Sequence, residues 1–133
     1  MSNPKSPHVE VLRSNAVLTK GLPFPDGVRV GDLVILSGQI GIRPGTLELV
    51  PGGIEAETRR TFENLTLALA AHGLSLGDIV RVQVMLADMG EWQRFNQVYL
   101  EFFPDAAPAR SAFGATGLAL GARVEVEAFA VRR

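Results

Sequence analysis

The sequence predicts an α+β fold, a mixed β-sheet of about six strands with two helices packed on one face. Three observations carry this. Apolar residues recur at helical spacing over 54–72 and 90–103. Apolar and polar residues alternate over 78–87 and again over 123–131. The elements run β, β, β, α, β, α, β, β, without the repeated βα alternation of a wound parallel sheet. At 133 residues the chain is expected to be one domain, 1–133, because a split would leave pieces too small to hold a core.

Residues 1–7 are polar, carry Pro4 and Pro7, and are expected to form a loose terminus. Val9-Glu10-Val11-Leu12 reads as a short strand. Asn15 to Gly27 holds Gly21, Pro23, Pro25 and Asp26 and reads as a loop. Val28-Arg29-Val30 and Leu33 to Ser37 flank Gly31-Asp32, a turn signal that makes them a hairpin. Gly38 then marks a bulge or a close approach of the backbone, and 43–53, rich in Gly and Pro, is a surface excursion. The first helix spans Ile54 to His72: Ile54, Thr58, Phe62, Leu65 and Leu69 fall four, four, three and four apart, while Glu55, Glu57, Arg59, Arg60 and Glu63 lie mostly off that stripe. Gly73 supplies the stop.

Asp78 to Ala87 is a strand with Val80, Val82, Val84 and Leu86 on one face and Ile79, Arg81, Gln83 and Met85 on the other. Gly90 to Phe103 is the second helix, with Trp92, Phe95 and Tyr99 as core residues, and Pro104 ends it. Ala109–Phe113 and Arg123–Val131 are the last strands. Helices on one side leave a sheet face carrying Arg81, Gln83, Met85, Glu125, Glu127 and Phe129. A half-apolar face of that size is expected to be covered by further copies of the chain, with any pocket where subunits meet.

Composition narrows the functional classes. The net charge of −1, with lysine only at Lys5 and Lys20, leaves no electrostatic footprint for nucleic acid. The absence of cysteine removes disulfides, thiolate nucleophiles and cysteine metal sites. His8 and His72 have no ligand-type spacing, so no metal site is expected. The apolar runs fall short of a bilayer span, and the N-terminal residues lack a signal-peptide core. A soluble cytoplasmic protein is the expectation, with no membrane partner. Gly38, Gly41 and Gly45 are not followed by the Lys-Ser/Thr of a phosphate loop.

Chemistry concentrates near the C-terminus. Glu125 and Glu127 share one face of a strand whose other face is Val124, Val126 and Ala128. Two carboxylates there are costly unless the face is wet, paired with a cation, or used. Arg110, in Pro108-Ala109-Arg110-Ser111, is a cation suited to a small carboxylate, and a glutamate can serve as a water-activating base. Glu127 reads as structural, paired with an arginine or a neighbouring subunit.

Four segments together resemble the RidA/YjgF family of enamine/imine deaminases, also called the L-PSP family. They are Pro23-Phe24 to Gly31-Asp32 running into Ser37-Gly38-Gln39-Ile40; Glu55-Ala56-Glu57-Thr58-Arg59 to Asn64-Leu65, then Gly77-Asp78-Ile79-Val80; Phe95-Asn96-Gln97-Val98-Tyr99 with Phe102-Phe103; and Pro108-Ala109-Arg110-Ser111 with Val124-Glu125-Val126-Glu127-Ala128. The resemblance implies a chorismate-mutase-like fold and a homotrimer with clefts between subunits. It implies hydrolysis of 2-aminoacrylate-type enamines and imines to 2-oxoacids and ammonia, without cofactor or metal. By the same resemblance Arg110 holds the substrate carboxylate, Glu125 positions the attacking water, and Ser37, Asn96 and Phe24 line the cleft. Two positions depart from the family pattern. Phe24 stands where a tyrosine is frequent, which removes a hydroxyl, and Ala112 stands where a cysteine sometimes occurs. The loss at Phe24 keeps open a second reading, a non-catalytic protein of the same fold that binds or senses a small carboxylate metabolite. For Ser37 and Asn96 an ordinary backbone-bonding role stands beside the ligand role.

Overall fold

The computed structural model describes residues 8–133, so the expectation for residues 1–7 lies outside the described residues. Eight main elements follow in order: β1 (Val9–Leu12), β2 (Gly27–Val30), β3 (Leu33–Leu36), α1 (Gly53–Ala71), β4 (Ile79–Leu86), α2 (Trp92–Phe102), β5 (Ala109–Gly114) and β6 (Val124–Val131). The strands form one six-stranded sheet in the order β1-β2-β3-β6-β4-β5. All neighbours are antiparallel except β4 and β5, whose parallel pairing needs the crossover that α2 supplies. No described helix is long and apolar enough to cross a membrane.

The alternation in β6 orients the whole molecule. Val124, Val126, Ala128 and Ala130 are buried against the helices, while Glu125, Glu127, Phe129 and Val131 point to the open side. The predicted α1 stripe of Ile54, Thr58, Phe62, Leu65 and Leu69 is fully buried. Phe62 is the hub of an aromatic cluster, with ring centroids 6.2 Å from Phe95, 5.7 Å from Tyr99, 5.3 Å from Phe102 and 5.7 Å from Phe103. Gly73, in the left-handed region at φ 78°, turns the chain out of α1, and the Leu74 N–H closes on the Leu69 carbonyl at 2.9 Å.

The structure corrects several details. Val80 is 40% exposed and Ile79 only 6%, the reverse of the predicted faces. A register shift between Ile79 and Arg81 against β6 is the cause: an extra residue in one strand inverts the alternation on its far side. From Val82 onward the faces are as predicted. Glu57 is buried rather than off the stripe, because its Oε1 accepts the Arg123 backbone N–H at 2.9 Å and so satisfies an otherwise orphaned donor. Of the three aromatics assigned to the core of α2, Phe95 and Tyr99 are buried, while Trp92 at the first turn is exposed. His72, which follows the last turn of α1, makes a long-range contact. Its Nε2 lies 2.9 Å from Oδ2 of the buried Asp26, tying the end of α1 to the loop ahead of β2.

Candidate functional site

Register assigns Arg110 and Glu125 to opposite faces of the same sheet. Residues directly opposed in neighbouring strands share a face. Arg110 opposes Val82, a core residue on the helix side, whereas Glu125 opposes Met85 on the open side. Within one copy of the chain the two groups are therefore divided by a layer of backbone, and each has its own cavity.

The arginine half is built by the edge strand β5 and by α2. The guanidinium carbon of Arg110 sits 4.7 Å from the ring centroid of Tyr99, 5.6 Å from that of Phe95 and 5.9 Å from that of Trp92. The rings attract a cation through their negative faces yet leave its N–H donors unused. Among the described residues no carboxylate pairs with Arg110. Asn96, Tyr99, Leu100, Ala106, Pro108 and Arg110 line an open cavity of about 310 Å³. The Asn96 Oδ1 is buried there without a hydrogen-bond partner. Burial holds the Tyr99 hydroxyl above the usual tyrosine range, against the opposing pull of the Arg110 charge. This half can grip an anion in a fork of parallel N–H donors.

The glutamate half lies on the other side, in a second cavity of about 310 Å³ between the 18–24 loop, residues 38–47 and the turn at 119–120. Glu125 and Phe24 both line it. The Glu125 carboxylate lies directly over Gly38: a methyl built on Gly38 would overlap its Oε2 and stand 3.1 Å from its Cδ. The close approach expected at Gly38 is thus to a side chain, and only glycine leaves room for it. Glu125 is half-buried. Desolvation first, and the neighbouring Glu127 second, hold its carboxyl above the usual glutamate range.

The remaining candidates take supporting places. The Ser37 hydroxyl donates to the Pro25 carbonyl at 2.7 Å, and its backbone N–H donates to the Asp26 carbonyl at 2.9 Å. Ser37 thereby fixes the segment carrying Phe24 against β3. Its hydroxyl oxygen can still accept a bond. Three contributors escaped sequence reasoning. Asn64, buried on α1, donates from Nδ2 to the Ile40 and Ile42 carbonyls at 3.1 and 2.8 Å and pins the wall of the Glu125 cavity. Tyr99 serves as the floor under Arg110 as well as core. Leu120 holds a left-handed backbone at φ 59° in the same wall as Glu125. Only Asn64 gave a signal, an amide beside the apolar stripe of a helix. Among the described residues no group of three or more His, Cys, Asp or Glu is placed to hold a metal.

Residues 15–132 match the family model described as endoribonuclease L-PSP. The chain is 40% identical over 111 residues to Protein DfrA of Myxococcus xanthus, covering 82% of this chain and 85% of that protein. It is 37% identical over 110 residues to the 2-iminobutanoate/2-iminopropanoate deaminase of Mus musculus, covering 83% and 82%. Among solved structures it superposes on E. coli TdcF with bound serine at a TM-score of 0.84 and 31% identity, covering 93% of this chain and 99% of that one.

Proposed function

Since the chain belongs to the endoribonuclease L-PSP family, the group of the RidA/YjgF proteins, we propose that it is an imine deaminase whose active site is completed by two copies of the chain. One copy contributes Arg110 and its partner contributes Glu125. The observation that carries this reading is the placement of a guanidinium, without an ion pair among the described residues, and a half-buried carboxylate on opposite faces of one sheet. A cyclic assembly such as a trimer brings unlike faces of neighbouring copies together. A relative named as a deaminase and a neighbour holding serine, itself a small carboxylate, support the ligand class.

The chemistry follows from the two halves. Arg110 binds the substrate carboxylate through two parallel N–H donors, and the aromatic platform fixes the plane of the guanidinium. An enamine such as 2-aminoacrylate first takes a proton on its terminal carbon and loses one from nitrogen to become the imine. Glu125 then accepts a proton from water as the water oxygen bonds to the C=N carbon, the π pair moves to nitrogen, and Glu125 passes its proton to that nitrogen and is a carboxylate again. In the carbinolamine that results, the hydroxyl proton leaves through the carboxylate. The C–N bond breaks toward a protonated nitrogen, releasing ammonia and a 2-oxoacid. The carboxyl of Glu125, held above its ordinary range, suits a group that must both take and return a proton.

The test is ammonia release from imines generated in situ, compared with buffer alone. Equal rates in both would end the deaminase reading. Binding of 2-oxoacids through Arg110 without turnover would establish instead the non-catalytic reading that Phe24 leaves open.

Two further outcomes are expected. Gly38→Ala drives the Glu125 carboxylate off its seat and lowers kcat by about a hundredfold, the order of loss that follows from roughly 1 Å of misplacement. KM, set mainly by Arg110, changes little. An unaltered kcat would show that the position of Glu125 over Gly38 is immaterial. Glu127→Gln moves the acidic limb of the kcat/KM profile to lower pH. Glu125 works as the carboxylate, and the charge of Glu127 raises its pKa, so removing that charge lets Glu125 ionise earlier on the pH scale. The desolvation contribution remains, so the limb stays above the ordinary glutamate range. A limb that moves upward or not at all would remove Glu125 as the titrating base.

A further inference from the structure

We propose that the cavity beside Glu125 receives the substrate's side chain and selects 2-imino acids with large apolar side chains, branched aliphatic or benzyl, over those bearing a methyl group. The inference rests on the deaminase reading and adds a substrate class to it. In a 2-imino acid the side chain is bonded to the carbon that water attacks. A carboxylate that aims water at that carbon must therefore lie next to the space the side chain fills. Glu125 is part of the wall of a cavity of about 310 Å³, ample for more than a methyl group.

The rest of that wall is chiefly apolar. Leu18, Leu22, Phe24, Ile42, Leu47 and Leu120 supply its large side chains, and among the described residues it contains no cation and no hydroxyl; its one amide, Gln39, is buried with Oε1 unpartnered, a single acceptor that serves only a donor on the ligand. A polar substrate side chain would lose its hydration there for little return, and an acidic one would meet Glu125. Phe24, Leu47 and Leu120 are exposed in a single copy, so apolar surface, of the ligand and of the partner that completes the site, would cover them in turn. Leu120 adds an independent observation. It holds φ 59°, with Gly121 following at φ 73°, a conformation that glycine or asparagine takes at lower cost. Backbone strain of this kind gathers at ligand clamps, and here it sets a leucine in the wall of the cavity.

The experiment compares kcat/KM for the imines of alanine, leucine and phenylalanine, formed in situ by an amino acid oxidase. The leucine and phenylalanine imines are expected to exceed the alanine imine by about tenfold or more. Leu120→Asn keeps a residue that tolerates the left-handed backbone and removes the apolar chain, so the preference should shrink toward unity. Calorimetric titration with 4-methyl-2-oxopentanoate and pyruvate reads the same preference without turnover, the branched acid binding the more tightly. Equal or reversed preference in both measurements, or a preference untouched by Leu120→Asn, overturns the proposal. Tighter binding of the branched oxoacid with no imine hydrolysed would uphold the side-chain cavity and sink the deaminase reading instead.

Discussion

Arg110→Ala and Glu125→Gln each lower kcat/KM for imine hydrolysis by about a hundredfold or more, and an equimolar co-assembled mixture of the two recovers about a quarter of wild-type activity. The single losses follow from the roles proposed for the groups. Without Arg110 the substrate carboxylate loses a two-pronged, charge-assisted partner. Without the Glu125 charge no base takes the proton from water. Arg110→Lys keeps the charge and loses the fork, so it restores only part of the activity, with KM suffering more than kcat.

The recovery is the sharper part. In the proposed shared site, Arg110 comes from one copy and Glu125 from the next. In a random mixture the first copy retains its arginine half the time and the second retains its glutamate half the time, so about one site in four is intact. Were both groups drawn from the same copy, no subunit in the mixture would hold an intact pair and activity would stay at the level of the single variants. Measured after joint refolding or co-expression, that outcome would refute the shared site. Neither substitution threatens the fold. Among the described residues Arg110 has no ion pair to lose. Glu125 has a folded-state pKa above its unfolded value, so folding favours its neutral form, and the penalty grows as pH rises through the raised value. Glu125→Gln removes that penalty, and the variant is expected to be at least as stable as wild type at neutral pH.

Much of this architecture was legible in the residues. Strict alternation in Val124–Val131 gave the strand, its buried face and its open face, because a period of two leaves no choice about which side chains share a side. The α1 stripe was equally plain. Legibility failed where a local irregularity altered the count, as at Val80, where one residue of register shift exchanged the faces of Ile79 and Val80. It failed too where a polar side chain answered a backbone group far away in sequence, as Glu57 does for the Arg123 N–H and Asn64 for the Ile40 and Ile42 carbonyls. Arg110 and Glu125 became candidates through residue type and resemblance. Their separation by the sheet could not be read that way, since it depends on the parallel register of β5 against β4, which sets Arg110 beside Val82. Strand pairing is a long-range property, and no local pattern around Arg110 encodes it.

Phe62→Ala is expected to destabilise the protein by about 3–5 kcal/mol, a large share of the roughly 5–15 kcal/mol that holds a typical domain folded. Phe62 is fully buried, and its ring contacts four other aromatic rings donated by α2 and the residue that follows it. Deleting it leaves a cavity that flat neighbouring rings fill poorly. Phe62→Leu keeps most of the volume and should cost about 1.5 kcal/mol. Urea unfolding at one fixed protein concentration reads both values, since the proposed assembly would make apparent stability depend on concentration. The consequence reaches the site because Phe95 and Tyr99 contact Phe62 as well as the guanidinium of Arg110. Loosening those two rings frees Arg110 to wander, so the folded fraction of Phe62→Ala should show a raised KM with kcat nearly retained. A loss below about 1 kcal/mol would contradict the cavity argument. A KM equal to that of wild type would show that Arg110 is held by something other than its aromatic floor.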